Sequence, residues 1–121
     1  MADNLSKVEF EKRDDVHVFR FRDVSLLDET VYQMLSDAIH QIREEGEPAK
    51  TLVVCMERVK LVSTAVWAKL FVLGRGLQKD EGKLALCSLG PLLREAVRLL
   101  KLDKLIPVYD TVDEALREVT Y

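Results

Sequence analysis

Two short apolar runs do most to limit what this chain can become. Thr51-Leu-Val-Val-Cys-Met56 and Leu84-Ala-Leu-Cys87 show no alternation of polar and apolar residues. A strand with one wet face alternates, whereas a strand that is apolar at every position has both faces covered. Such strands belong in the middle of a sheet with helices on either side, and the neighbouring segments supply those helices. From Asp28 onward, Val31, Leu35, Ala38, Ile39 and Ile42 recur at helical spacing, with Asp28 as the N-cap, Gly46 as the stop and Pro48 beyond it. Between the two runs, Thr64 to Lys79 carries Val66, Trp67, Leu70, Phe71, Leu73 and Leu77, a broad apolar face suited to packing on a sheet. After the second run, Gly90-Pro91 opens a third helix with Leu93, Val97 and Leu100 on one face and Arg94, Arg98 and Lys101 on another.

The ends complete the pattern. Val8–Arg13 and Val16–Phe21 both alternate and are separated by Asp14-Asp15, which reads as a hairpin. Glu57 to Val62 is a short exposed loop that dips into the core at Val59 and Leu61. Ile106 to Tyr109 is a last strand, placed at the sheet edge by Pro107, and Thr111-Val-Asp-Glu114 is a capping box for a final helix with Val112, Ala115, Leu116 and Val119 inward. The order β-β-α-β-α-β-α-β-α predicts an α/β domain. Its central sheet is mostly parallel, with an N-terminal antiparallel hairpin strand and about four flanking helices. Residues 1–6 are polar and expected to be a disordered N-terminus, leaving 7–121 as one domain. A chain of 121 residues buries enough surface to hold a core without disulfides or metals.

Several functional classes drop out. The net charge of −3 comes with no Lys/Arg block, which argues against nucleic acid as a partner. No stretch approaches the roughly 20 apolar residues of a membrane span, and Met1–Lys7 lacks the apolar core of a signal peptide, so a cytoplasmic location is expected. Cys55 and Cys87, each inside an apolar run, read as buried reduced thiols. His17 and His40 are far apart and form no metal-binding spacing. Neither a glycine-rich phosphate loop nor a nucleophile elbow is present, and Gly74-Arg-Gly76 falls inside a helix. No catalytic residue, metal or cofactor is assigned, and the chain reads as a non-enzyme.

One segment holds interest for function, Val62-Ser63-Thr64-Ala65, where a helix begins shortly after a buried strand ends. Ser63 suits the N-cap, accepting a hydrogen bond from a first-turn N–H. Two readings stay open there. In one the hydroxyls serve the helix alone; in the other they lie where a phosphoryl group would meet unpaired N–H groups and the positive end of the dipole.

The run from Leu52 to Leu116 resembles the STAS domain of bacterial anti-sigma factor antagonists. The family pattern is a strand, Val-x-Phe-x-Asp-Ser-Ser/Thr-Gly-Leu, a helix, a Gly-x-Leu-x-Leu strand, a Pro-led helix, then Leu-Asp-x-Leu and a last helix. Here the corresponding segments are Val59-Lys-Leu-Val-Ser63-Thr-Ala-Val-Trp67, Gly82-Lys-Leu-Ala-Leu-Cys87, Pro91, and Leu102-Asp-Lys-Leu-Ile-Pro-Val-Tyr-Asp-Thr-Val-Asp-Glu-Ala-Leu116. The resemblance implies a module that binds an anti-sigma factor which is also a serine kinase, is phosphorylated at the helix start, and is reset by a phosphatase. An ungapped match puts Ser63 on the family's Asp and Ala65 on its usual acceptor; a one-residue slide puts Thr64 on the acceptor. Some members of the wider family accept phosphate on a Thr directly after the Asp position, which also favours Thr64. Phosphorylation is therefore expected at Thr64 first and Ser63 second. Arg58, Lys60, Ser63, Thr64, Trp67 and Lys69 are the expected partner-binding residues, Trp67 only if its ring is exposed. The expected state is a monomer or weak dimer. The alternatives are an accessory subunit or scaffold for a transporter or signalling complex without phosphoregulation, and a small-ligand or nucleotide-binding module.

Overall fold

The structure is a computed structural model, and it describes residues 8–13, 16–22, 25–26, 33–37, 40, 51–79 and 81–119. The turn expected at Asp14-Asp15, the helix start at Asp28 and the stop at Gly46 lie outside the described residues. β1 (Val8–Arg13) and β2 (Val16–Phe21) pair antiparallel from Val8↔Phe21 to Arg13↔Val16, the hairpin that their alternation predicts. β3 is the two-residue strand Ser25–Leu26, and residues 33–37 are helical (α1). β4 (Thr51–Cys55) follows, then β5 (Leu61–Val62), α2 (Thr64–Lys79) and β6 (Lys83–Cys87). The chain continues through α3 (Pro91–Leu99), a 3-10 turn at Leu102–Lys104, β7 (Val108–Tyr109) and α4 (Val112–Val119).

The main sheet runs β1-β2-β4-β6-β7, with every pair after the hairpin parallel. The two apolar runs, β4 and β6, are therefore inner strands, as β2 is, and their side chains divide between two cores. Phe19, Phe21, Leu52, Val54, Leu84 and Leu86 meet Val66, Trp67, Leu70 and Leu77 of α2 and Leu93 and Val97 of α3 on one face. Val16, Val18, Val53, Cys55, Ala85 and Cys87 meet Ala115 and Val119 of α4 on the other. His17 is buried in β2, and His40 is exposed.

Packing decides the fate of α2. Gly74 and Gly76 each cost a helix about 1 kcal/mol relative to Ala, and helices of this length are marginal alone. Full burial of one large apolar side chain contributes about 1.5–3 kcal/mol, and α2 buries Val66, Trp67, Leu70 and Leu77. A Cβ at Gly74 would stand 3.4 Å from Ile106 Cγ1 and 3.6 Å from Leu84 Cδ2, ordinary contact distances, so the packing there does not demand glycine. The helix ends in a Schellman arrangement: Gly82 N–H donates to Leu77 O at 2.7 Å and Glu81 N–H to Gln78 O at 3.0 Å. Glu81, at φ 63°, occupies the left-handed position that glycine usually fills.

Three local expectations need correction. Leu61 was expected to turn inward, but it is 54% exposed because it sits on the β3–β5 bridge outside the main sheet. Leu100 was expected on the buried face of α3, but that helix ends at Leu99 and Leu100, its C-cap, is half-exposed; Leu102 in the next turn is buried instead. At the last helix, Thr111 Oγ1 accepts Glu114 N–H at 3.0 Å as a capping box requires, yet the Glu114 carboxylate accepts Asp110 N–H at 2.9 Å, one residue earlier than the motif.

Candidate functional site

The C-terminal end of β4 leads directly to the segment of interest. Met56 is fully buried, and Val59 N–H donates to its carbonyl at 3.1 Å, closing a tight turn whose tip exposes Glu57 and Arg58. Val59 is buried and acts as a plug that holds this loop against the core, leaving Lys60 outside. β5 then pairs in parallel with β3, Ser25↔Leu61 and Leu26↔Val62, and Ser63 N–H extends the pairing by donating to Leu26 O at 2.9 Å. The entrance to α2 is thus fixed on three sides: by Val59 below, by β3 alongside, and by its own cap.

That cap is Ser63. Its hydroxyl accepts Val66 N–H at 3.2 Å and its carbonyl accepts Trp67 N–H at 3.1 Å. Ser63 is half-buried, whereas Thr64 and Ala65 are exposed. The first turn of α2 holds no acidic side chain to offset the helix dipole. Ser63→Ala removes the cap, and a loss of about 0.5–2 kcal/mol of stability is expected. A chemical-denaturation midpoint measured beside that of Thr64→Ala, which removes no cap, checks this.

Along the segment from Arg58 to Thr64, Arg58, Lys60, Leu61 and Thr64 are exposed and Ser63 is half-buried. Lys69 lies one helical turn beyond Ala65 and is half-buried. Trp67 does not join them. Its ring is 3% exposed within the core cluster of Val66, Leu70 and Leu86, so the docking role that depended on an exposed ring is withdrawn. Leu61 is the residue that sequence reasoning missed here, because its exposure depends on a bridge to β3 that leaves no local pattern. Among the described residues, no group of three or more His, Cys, Asp or Glu is placed to hold a metal ion. No described helix is long and apolar enough to cross a membrane.

Charge is also organised on the sheet's second face along β1 and β2, reaching the end where Arg20 lies beside Cys55. Glu11 pairs with Arg13 at 2.9 Å and with Arg20 at 2.5 Å, and Glu9 pairs with Arg22 at 2.8 Å. The Arg13 and Arg20 guanidiniums hold the Glu11 carboxyl below its ordinary value. The pairs from Glu11 to Arg20 and from Glu9 to Arg22 link the two segments across the strands, and Arg13 also reaches Asp113 of α4 at 3.8 Å.

A five-stranded mixed sheet with an antiparallel first pair, helices on both faces and a capped helix start beyond the end of β4 defines an α/β domain of one particular class. The family model for the STAS domain matches residues 7–115, and the chain belongs to that family. Among solved structures, an anti-sigma factor antagonist from Mycobacterium paratuberculosis is 26% identical and aligns with a TM-score of 0.75 over 94% of this chain and 93% of that one. The phosphorylated form of the Bacillus cell fate determinant SpoIIAA aligns at 19% identity and a TM-score of 0.68, over 93% and 98% of the two chains. A sulfate transporter family protein from Wolinella succinogenes aligns at 18% identity and a TM-score of 0.76, over 91% and 88%. The last two likenesses concern the fold alone. No curated protein sequence matches the chain.

Proposed function

We propose that this STAS domain is an anti-sigma factor antagonist that works by partner switching in the cytoplasm, without catalysing a reaction itself. The observation that carries the reading is Thr64, an exposed hydroxyl at the first position of a helix whose entrance is rigidly held. The docking surface consists of Arg58, Lys60, Leu61, Ser63 and Thr64, with Lys69 at its border. The partner is an anti-sigma factor that is also a serine kinase, and it transfers phosphate to Thr64. Ser63 is the second choice, because its hydroxyl is half-buried and occupied by Val66 N–H. Added charge at Thr64 leaves the core untouched and stabilises the helix end, but it places about −1.5 to −2 charges inside the contact. The complex then separates until a phosphatase removes the group. The likeness to SpoIIAA, which is known in phosphorylated and unphosphorylated forms, supports this reading.

The test is affinity capture by the tagged chain from host lysate, followed by incubation of the captured kinase with the chain and ATP. Recovery of an anti-sigma kinase and a phosphopeptide labelled at Thr64 is expected. Recovery of transporter subunits with no phosphate incorporated would favour an accessory role instead, and would end the partner-switching reading.

A further inference from the structure

The parallel register of the two inner strands pairs Cys55 of β4 directly with Cys87 of β6. Both side chains point to the same face of the sheet, into the cluster beneath Ala115 and Val119 of α4. Both are free thiols. Neighbouring strands lie about 4.8 Å apart, and a disulfide accommodates Cα atoms roughly 4.4–6.8 Å apart. The bridge therefore needs a rotation of side chains and no change of register.

The two sulfurs have different surroundings. Cys55 lines a cleft of about 160 Å3 whose walls include Arg20, Arg22, Glu57, Arg58 and Glu9. Cys87 is fully buried behind it. Cys87 S–H donates to the Cys55 sulfur, the contact that does most to hold the Cys55 thiol below its ordinary value; Glu57 N–H, the Ser88 hydroxyl and the Arg20 charge act in the same direction. The same contact, together with burial, pushes the Cys87 thiol up. Ser88 is held at φ 61°, with its N–H on Tyr109 O at 3.1 Å, which keeps its hydroxyl at this end of β6.

We propose that Cys55 and Cys87 form a peroxide-reactive dithiol, with Cys55 as the attacking thiol, reached through the arginine-lined cleft, and Cys87 as the resolving one. The Cys55 thiolate attacks one oxygen of a hydroperoxide such as hydrogen peroxide. The O–O bond breaks, hydroxide leaves and takes up the proton lost by Cys55 to become water, and the sulfur becomes a sulfenic acid. Cys87 then attacks that sulfur; the S–S bond forms, the S–O bond breaks, and a second water leaves with the Cys87 proton. Two thiols and one hydrogen peroxide give one disulfide and two waters, and the sulfurs lose the two electrons that the peroxide gains. A thiolate beside positive charge with a second cysteine in reach is the arrangement that favours such chemistry.

The reaction is read on the isolated chain, so its outcome is separate from that of the docking reading. The reduced full-length protein is treated with a small molar excess of hydrogen peroxide, unfolded, alkylated with iodoacetamide and weighed intact. The expected result is loss of two hydrogens, no alkylation and a linked peptide pair containing Cys55 and Cys87, reversed by dithiothreitol. Bridging is expected to be faster than in the chain unfolded in urea before peroxide is added. In Cys87→Ser the reaction stops at a Cys55 sulfenic acid that dimedone labels. Full alkylation of the peroxide-treated wild type, a sulfinic acid in place of the bridge, or equal rates in folded and unfolded chain would each overturn the proposal. Those wild-type measurements decide it even if the variant fails to fold.

Discussion

Trp67→Ala is expected to lower the stability of the domain by about 3–5 kcal/mol. The ring is 3% exposed and meets Val66 and Leu70 of its own helix and the first core of the sheet, so its removal leaves a void on the face where α2 docks. Domains of this size have total stabilities of about 5–15 kcal/mol, so the variant sits near the limit of folding. With a urea dependence of about 1–3 kcal/mol per molar, the midpoint should fall by roughly 2 M. Far-UV circular dichroism is the suitable probe, because Trp67 is the single tryptophan and its fluorescence goes with it. Partner binding by this variant should fall only in proportion to the unfolded fraction. A variant that keeps its midpoint but loses binding would return Trp67 to the contact surface.

Thr64→Glu should separate stability from binding in the opposite way. The side chain is exposed at the first position of α2, whose opening turn has no acidic residue. A carboxylate near a helix N-terminus contributes about 0.3–1 kcal/mol of stabilisation, so the denaturation midpoint should hold or rise slightly. Affinity for the captured partner should fall at least tenfold, because an uncompensated charge enclosed in a contact costs several kcal/mol and about 1.4 kcal/mol corresponds to tenfold. Thr64→Val keeps the shape, lacks the hydroxyl, and should bind like the wild type while accepting no phosphate. Calorimetric titration of the three forms checks the set. Wild-type affinity in Thr64→Glu would remove charge at this position as the control.

The elements read most directly from sequence are those whose signal is local. α2 begins at Thr64 and ends at Lys79 as its apolar spacing and cap require, and β1, β2, β4 and β6 follow from alternation or its absence, whereas β5 falls in what reads as a loop. The chain-distant features left no such trace. The β3–β5 bridge consists of two residues on each side and is held by hydrogen bonds between segments far apart in sequence, so nothing in Ser25-Leu26 announces it. Leu61 was misplaced for that reason. Trp67 fits the helical face and an exposed first turn equally well by spacing alone, and only the docking angle of α2 decides between them. Cys55 and Cys87 were read correctly as buried thiols, but their apposition depends on the register between two strands, which no local pattern encodes.

The two faces of the sheet are covered unequally. One carries α2 and α3 with large aliphatic and aromatic side chains, whereas α4 is eight residues long and buries Ala115 and Val119. Elements with few apolar contacts open at lower free energy than the whole molecule. The amides of α4 should therefore exchange with deuterated solvent well before those of β4 and β6. Each such opening bares the sulfur atoms beneath the helix, which gives them a second way to solution beside the cleft that Cys55 lines.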